Sequence, residues 1–331
     1  MSTFPLGCRY DMKIVLITSG YAGIYPFLEK SIQAALTALD HPFITIAPEY
    51  TTQSVEQIEN FQPDFILVFV GYKLQQDFLP FFKQKGYRLG IWFTEDPFYL
   101  DESIRLAEMF HNIFTIDLGA YEYYTKVLQG KKIYHLPLGT DSAQYFPSQS
   151  NHPVLYDLCL IGYPYPERVQ LAHLIAEQTP YQLLVAGPLW RRAMQGIAHQ
   201  RVMVINKWIH PGIVNQLYHQ SRMILNPHRS HLFHKNKNSL GIENKSLNNR
   251  TFDIAACGGF QLITAKPDTV LHFDSKCELV SYTTVEECLK LIHTFIHDDE
   301  KRANYSRRAM ERVLSSHTFH HRMQRMIDFL Q

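Results

Sequence analysis

The stretch MKIVLITSG, Met12–Gly20, is a short run of β-branched and apolar residues that ends at a glycine. Continuous apolar runs of this length are typical of strands buried inside a parallel sheet. A helix is predicted to follow over Ile24–Leu39. Similar strand-like runs recur at Pro42–Tyr50, Asp64–Gly71, Leu89–Pro97, Asn112–Gly119 and Lys132–Asp141, with helix-like segments at Ser54–Phe61, Leu74–Lys85, Asp101–Phe110 and Tyr121–Gln129. This alternation predicts βαβ units, and therefore a parallel sheet with helices on both faces.

The alternation is interrupted once, by the polar, proline-containing run 142–153. We interpret residues 146–153 as a linker between a first domain, 1–145, and a second, 154–331. Strand-like runs then resume at Tyr156–Pro164, Tyr181–Pro188, Val202–Trp208, Arg222–Pro227 and Phe260–Lys266, with helices over 167–177 and 249–257 and a helical end, 284–330, broken near 315–318. The predicted class is α/β, with two doubly wound, Rossmann-like domains facing a central cleft. Such a cleft favours an enzyme or a binding protein that closes on a ligand.

Composition excludes several classes of protein. The chain has 331 residues, of which 46% are hydrophobic and 19% charged, and its net charge is +1. This is a globular composition, and it argues against a nucleic-acid partner held by bulk positive charge. The five scattered cysteines form no C-x-x-C pair and fit a reducing cytosol: Cys8, Cys159, Cys257, Cys277 and Cys288. We find neither a membrane span nor a signal-peptide core, and expect a soluble, cytoplasmic protein.

Three common ligand motifs are missing from the sequence. The two glycines of Ser19–Gly23 and the lone Gly162 do not complete a G-x-G-x-x-G fingerprint, so binding of NAD or FAD is disfavoured. A G-x-x-x-x-G-K-[ST] loop and a G-x-S-x-G elbow are also missing. These observations argue against a P-loop NTPase and a typical α/β-hydrolase.

The most informative stretch is SLNNRTFDIAACGGFQLIT, residues 246–264. It predicts a helix capped by Asn248 or Asn249 that ends at two glycines and leads at once into a strand. A helix N-terminus at a cleft can bind phosphate, and Arg250 could add a bidentate contact. Asp253 would be placed to accept hydrogen bonds from ribose hydroxyls. The alternative interpretation is an ordinary capped helix whose acidic residue complements the helix dipole.

The segment NNRTFDIAACGGFQL, 248–262, resembles the C-terminal signature of GT-B glycosyltransferases, and most closely that of the CgeB-like, spore-maturation-type group. Four further stretches resemble elements of that group in the same order: WFTEDP (92–97), LPLGTD (136–141) with Phe146–Pro147, CLIGYPYPER (159–168) and HTFHHRM (317–323). The resemblance implies a GT-B fold and transfer of a sugar from a nucleotide-diphosphate sugar, UDP- or GDP-linked, to a hydroxyl of a glycan or a surface or coat protein.

The resemblance also implies roles for individual residues of the second domain. Asp253 would bind the ribose, while Asn249, Arg250 and Thr251 would line the diphosphate. Gly162 would also line the donor site, and Arg168, near the start of the following helix, would offer a second cation. The other expected donor-binding residues are Asn206, Lys207 and Trp208 at the base, together with Asn226 and Asn248. GT-B enzymes need neither a metal nor a cofactor for departure of the diphosphate, so we expect none here.

The first domain would hold the acceptor. Gly20 and Gly23 lie at one strand end, and Glu95 and Asp96 lie at another, where an acidic residue can act as a general base. The alternative for the two acidic residues is a structural turn before Pro97.

One position departs from the family pattern. Lys245 stands where many retaining GT-B enzymes carry the first of two acidic residues. This keeps open a non-catalytic scaffold protein on the same fold, and a nucleotide-sugar epimerase is a further alternative. The basic, histidine-containing loop His228–Asn238 could be a lid over the diphosphate, a solvated loop or, least favoured, a metal site.

Overall fold

The computed structural model describes residues 11–148, 153–197 and 200–331. Cys8 and the centre of the predicted linker, 149–152, lie outside these residues. The first half forms a parallel six-stranded sheet with the order β2-β1-β3-β4-β5-β6. Its strands are β1 (Ile14–Ile17), β2 (Phe43–Ile46), β3 (Phe65–Phe69), β4 (Leu89–Phe93), β5 (Asn112–Thr115) and β6 (Lys132–His135).

The second half repeats this plan. Its parallel six-stranded sheet has the order β12-β11-β10-β7-β8-β9. The strands are β7 (Tyr156–Ile161), β8 (Leu183–Ala186), β9 (Val202–Ile205), β10 (Ser221–Asn226), β11 (Gln261–Thr264) and β12 (Val280–Tyr282). The predicted fold class, two doubly wound α/β domains, is therefore confirmed.

Helices cover both faces of each sheet. In the first half these are α1 (Tyr25–Ala38), α2 (Thr52–Phe61), α3 (Phe78–Lys85), α4 (Leu100–Ala107) and α5 (Leu118–Val127). In the second half they are α6 (Pro166–Gln178), α7 (Trp190–Ala193), α8 (Pro211–His219), α9 (Asn249–Ala256), α10 (Thr269–His272), α11 (Val285–Phe295), α12 (Asp299–Ser316) and α13 (Phe319–Leu330).

Burial of β1 explains its uninterrupted apolar sequence. Ile14 and Leu16 belong to the core cluster on one face of the first sheet. Val15 and Ile17 belong to the cluster on the opposite face. Since successive side chains point to opposite faces, a strand covered on both sides must be apolar at every position.

The last helix returns to the first domain. Met323, Met326 and Ile327 of α13 belong to the same core cluster as Leu28 and Ile32 of α1. The backbone also pairs across the domains, because Thr140 N donates to His317 O at 3.0 Å. The two halves are therefore held together by packing as well as by the connecting segment.

Several predicted element boundaries were wrong. Strand β4 ends at Phe93, so Glu95 and Asp96 lie beyond the strand and not within it. The short strand β12 and the helix α8 were not predicted. Strand β12 has only three residues and depends on its pairing with β11. Helix α8 does carry a helical pattern that the prediction overlooked, since Val214, Leu217 and Tyr218 are buried on one face after Pro211 in its first turn. Among the described helices, none combines the length and apolar character that crossing a membrane requires.

Candidate active site in the interdomain cleft

A cavity of about 470 Å³ lies between the two domains. It is lined by residues from the carboxyl ends of both sheets, where ligands of doubly wound folds bind. The polar and charged residues of its wall are Thr94, Glu95, Asp96, Asp117, Arg168, His228, Arg229, Asn244, Ser246, Asn248, Asn249, Arg250 and Asp253, and its aromatic residues include Tyr25, Phe98, Tyr145, Tyr163, Tyr165, Trp208 and Tyr218.

Two arginines converge on Gly162 in the cavity wall. A Cβ atom at Gly162 would lie only 2.6 Å from Arg168 Nη1 and 2.8 Å from Arg250 Nη2. Gly162 also has a φ of +130°, which other residues rarely adopt. A glycine is therefore required for both guanidinium groups to reach this point.

Neither arginine forms an ion pair with a carboxylate in the part of the chain that the structure describes. Arg168 is buried and donates to two backbone carbonyls, from Nε to Pro227 O at 3.0 Å and from Nη1 to Tyr163 O at 3.1 Å. Burial and the neighbouring Arg250 lower the pKa of Arg168 to about 9. Two close cations that have no ion-paired carboxylate among the described residues form a favourable site for a diphosphate.

Helix α9 begins at this wall and is capped as predicted. The Asn248 side chain accepts from Thr251 N at 3.1 Å, and its Nδ2 donates to Asn226 Oδ1 at 3.0 Å. Asn226 Nδ2 in turn donates to Thr251 Oγ1 at 3.0 Å. Asn226 and Thr251 are fully buried behind the cap and do not line the cavity. The structure therefore corrects their predicted role from donor contact to support of the α9 N-terminus.

Asp253 joins the two domains at the cavity wall. Its Oδ1 accepts from Thr140 Oγ1 at 2.9 Å, and its Oδ2 accepts from Asn249 Nδ2 at 3.1 Å. Burial raises the pKa of Asp253 to about 7. Each carboxylate oxygen can accept two hydrogen bonds, so the group retains capacity for ribose hydroxyls.

Of the three residues predicted to contact the nucleobase, one lines the cavity and two do not. Trp208 lines the cavity, and its ring centroid lies 6.1 Å from that of Phe27 of the first domain. Asn206 and Lys207 lie outside the cavity lining. Asn206 Oδ1 accepts from Arg191 N at 2.9 Å, and Lys207 is exposed, so both are removed from the predicted donor contacts. Stacking of Trp208 on a base stays a prediction.

The two acidic residues after β4 have different environments. Among the described residues, only the Tyr25 hydroxyl hydrogen-bonds to the Glu95 carboxylate, at 2.5 Å. Burial raises the pKa of Glu95 above its ordinary value, partly offset by Tyr25 and by the charge of Arg229. Glu95 is therefore a carboxylate at the cavity with free lone pairs.

Asp96 is committed to the interior of the first domain. It is 1% exposed and accepts from Ser103 Oγ at 2.6 Å, Thr115 Oγ1 at 2.8 Å and Tyr124 Oη at 2.9 Å. Burial raises its pKa to about 6. Three hydroxyl groups already engage its carboxylate, which favours a structural role, and a catalytic role of Asp96 stays a prediction.

Gly20 and Gly23 lie in the loop after β1, at the same sheet edge as Glu95. Neither lines the cavity. The Gly20 carbonyl accepts from Lys73 Nζ at 2.8 Å, and a Cβ at Gly23 would lie 3.6 Å from Trp208 Nε1. They belong to the rim of the cleft, and contact with an acceptor stays a prediction.

The basic loop His228–Asn238 docks onto the first domain. Lys237 pairs with Glu102, and Lys237 N donates to Phe98 O at 2.8 Å. The Arg229 guanidinium lies 4.5 Å from the centroid of Phe98. Within the described ranges, no group of three or more His, Cys, Asp or Glu side chains is arranged to hold a metal ion. The loop is therefore not simply solvated.

Sequence reasoning missed a polar cluster that links Asp117 to the segment before α9. Asp117 Oδ2 accepts from Asn244 Nδ2 at 2.8 Å, Lys245 N at 3.0 Å and Ser246 N at 3.1 Å. Lys245 Nζ donates to Glu122 Oε2 at 2.6 Å. One signal could have indicated Asp117: it follows β5 as Glu95 follows β4, so both reach the same sheet edge.

Comparison with solved structures defines the class. The chain superposes on sucrose-phosphate synthase from Thermosynechococcus elongatus with a TM-score of 0.71 and 12% identity, covering 96% of this chain and 99% of that one. It superposes on Anabaena Alr3699/HepE, solved in complex with UDP-glucose, with a TM-score of 0.66 and 11% identity, again covering 96% and 99%. With its two facing parallel sheets, the protein has the GT-B glycosyltransferase fold.

Sequence comparison then shows the family. A model described as glycosyl transferase-like matches residues 168–328. Spore protein CgeB of Bacillus subtilis (strain 168) is 35% identical over 253 residues, which is 76% of this chain and 79% of that protein. The chain belongs to this CgeB-like, glycosyl transferase-like family, and the resemblance seen in the segment 248–262 is confirmed.

Proposed function

We propose that the protein transfers a sugar from a nucleotide-diphosphate sugar to a hydroxyl group of a glycan or a surface protein. The observation that carries the proposal is the pair of arginines, Arg168 and Arg250, which meet at Gly162 and form no ion pair with a carboxylate of the described residues. They lie beside the N-terminus of α9, whose dipole and free N–H groups also favour an anion. A diphosphate satisfies all of these groups at once.

The remaining wall fits the other parts of such a donor. Asp253 and Asn249 offer polar atoms to a ribose, and Trp208 offers a ring to a base. The structurally similar Anabaena protein binds UDP-glucose, which supports a UDP-linked donor here. The two cations and the helix dipole would stabilise the departing diphosphate without a metal.

On the acceptor side we assign the role of general base to Glu95. Among the described residues its carboxylate carries a hydrogen bond from Tyr25 alone, so it can accept a proton from an incoming hydroxyl. The raised pKa of Glu95 makes it a stronger base than an exposed glutamate.

The test measures turnover of UDP-glucose and GDP-mannose with and without glycan acceptors. Turnover is monitored as release of the nucleoside diphosphate. We expect acceptor-dependent release, and a loss of at least about a hundredfold in kcat for Glu95→Gln with unchanged affinity for the diphosphate. Glu49→Gln, an exposed exchange outside the cavity, is the control. If the donor is isomerised when no acceptor is present, the protein is instead an epimerase. If a donor binds but is not turned over, the protein is a scaffold.

A further inference from the structure

A loop of the second domain holds the turn that carries Glu95. The turn is closed by Phe98 N, which donates to Glu95 O at 2.8 Å. Phe98 O accepts from Lys237 N at 2.8 Å, and Asp101 N donates to Lys237 O at 2.9 Å. Because Lys237 belongs to the loop His228–Asn238, main-chain hydrogen bonds tie the turn to the second domain.

Arg229 extends from the same loop into a box of aromatic rings. Its guanidinium carbon lies 4.5 Å from the ring centroid of Phe98 and 5.8 Å from that of Tyr99, both in the first domain. In the second domain, it lies 5.0 Å from the centroid of Tyr165 and 5.8 Å from that of Phe233. A cation within about 6 Å of an aromatic ring is attracted to the face of the ring, so these rings hold the guanidinium between the domains.

The positive charge of Arg229 is not paired with a carboxylate in the described ranges of the chain. Its Nε donates to the neutral amide of Asn236, at 2.8 Å from Oδ1. Arg229 and Glu95 both line the interdomain cavity, and the ring centroid nearest to Arg229 belongs to the turn that begins at Glu95. A charge in a partly desolvated cavity acts on a nearby carboxylate more strongly than it would in water.

The other ionisable groups around Glu95 are tyrosines and one acidic residue. The described groups that act on it electrostatically are Tyr21 and Tyr25 at the start of α1, Tyr72 after β3, the adjacent Asp96, and Tyr165 and Arg229 of the second domain. Burial raises the pKa of Glu95, while the hydrogen bond from Tyr25 and the charge of Arg229 lower it. The cation in this set therefore comes from the second domain.

Resting on the proposed function, in which Glu95 is the general base, we propose that Arg229 is the positioning residue of this base. Arg229 supplies, from the second domain, the positive charge that faces the Glu95 carboxylate. The preceding residue contacts the donor side of the cleft, because His228 Nε2 accepts from Asn248 N, at the cap of α9, at 3.0 Å. Adjacent residues of one loop thus connect the helix proposed to bind the diphosphate with the turn that carries the base.

The first test is the pH profile of kcat for Arg229→Gln, measured as release of the nucleoside diphosphate. Loss of the charge disfavours the ionised base, so the acid limb should move to higher pH. On that limb we expect kcat to fall by at least about threefold more than on the alkaline plateau. Arg229→Lys keeps the charge and should keep the limb at the wild-type pH. Arg229→Met, whose thioether suits an aromatic box, is a second neutral variant that should match Arg229→Gln.

The matched control is Lys235→Gln, which removes an exposed cation of the same loop that does not line the cavity. It should leave the acid limb in place. A limb that also stays in place in Arg229→Gln would overturn the proposal. A kcat that falls equally at every pH would overturn it too, since a purely structural role predicts that result.

Calorimetric titration of UDP and GDP separates this role from donor binding. Arg229→Gln should change the affinity for the diphosphate by less than about threefold, because the diphosphate binds Arg168 and Arg250 in the proposed function. A larger loss would make Arg229 a donor ligand and would overturn its assignment to the base.

A further measurement needs no turnover. Glutamate carboxyl carbons are isotope-labelled and titrated by NMR, and the Glu95 signal is assigned by its absence from Glu95→Gln. Its titration midpoint should lie at higher pH in Arg229→Gln than in the wild type, and should be unchanged in Lys235→Gln. Equal midpoints in Arg229→Gln and the wild type would overturn the proposal. If the midpoint shifts but the wild type turns over no donor, the proposed function fails while the action of Arg229 on Glu95 stands.

Discussion

The environment of Glu95 indicates its chemical role more specifically than that of any other residue discussed. Its carboxylate lies at the cavity and accepts a hydrogen bond from the Tyr25 hydroxyl. Burial disfavours the charged form and raises the pKa, whereas the hydrogen bond favours the charged form and lowers it. The balance between these two effects sets the pH at which the residue can act as a base.

This balance predicts a shift in the pH dependence of turnover. A general base must be ionised, so turnover should fall on acidification at a pH above the ordinary range of a glutamate, about 4.3. Tyr25→Phe removes the hydrogen bond that stabilises the charged form. The acid limb of the kcat profile should therefore move to higher pH, by about one unit.

The matched control for this experiment is Tyr50→Phe. Tyr50 packs against Phe78 and Phe81 away from the cavity, so its exchange should leave the profile in place. An acid limb that stays fixed in Tyr25→Phe, or one that moves to lower pH, would argue against Glu95 as the base.

At the level of secondary structure, the segment that follows β4 connects several elements of the first domain. Through Asp96, which follows this strand, the structure ties together Ser103 of α4, Thr115 of β5 and Tyr124 of α5. These contacts hold the loop that carries Glu95. By accepting hydrogen bonds from three buried hydroxyl groups, the Asp96 carboxylate stabilises this edge of the sheet.

We expect Asp96→Ala to lower the free energy of unfolding by about 3 kcal/mol, because three buried hydroxyls lose their acceptor. Urea denaturation measures the change. Asp77→Ala is the control, since this exposed residue precedes α3 without capping it, and it should change stability by less than about 0.5 kcal/mol. A stability of Asp96→Ala equal to that of the control would mean that the hydrogen-bond network contributes nothing.

The elements that could be predicted from sequence are those with strong local signals. The strands β1, β3 and β4 are continuous apolar runs, and α9 carries its cap at Asn248 and its terminating glycine at Gly258. The strand end at Phe93 was overrun because burial continues beyond it, at Thr94 and Asp96, so the polar residues before Pro97 were taken into the strand. Strand β12 has only three residues and depends on its pairing with β11.

The site was only partly predictable, because local motifs identify some of its residues while contacts between distant parts of the chain decide the others. Gly162, Arg168, Asn249, Arg250 and Asp253 were identified by motif, and the structure brings them to one cavity. The contact between Asp117 and Asn244 spans 127 positions of the chain, so no sequence pattern could reveal it. Likewise, the burial of Asp96, Asn226 and Thr251 depends on which neighbours cover them.

At the scale of the whole molecule, function depends on a cavity that residues of both domains line. Polar contacts cross the cleft from Asp117 to the segment before α9, and from Thr140 to Asp253. The helix α13 closes the arrangement by packing on α1. The central claim is that this shared cavity binds a nucleoside diphosphate at Gly162, Arg168 and Arg250.

The most direct test is calorimetric titration of UDP, GDP, ADP, CDP and dTDP into the wild type and Arg250→Ala. Arg222→Ala, which removes an arginine paired with Asp157 outside the cavity, is the control. We predict micromolar binding of one diphosphate, weakened at least tenfold by Arg250→Ala and unchanged by the control, with no such loss for the corresponding nucleoside. A folded wild-type protein that binds none of the five diphosphates would contradict the account.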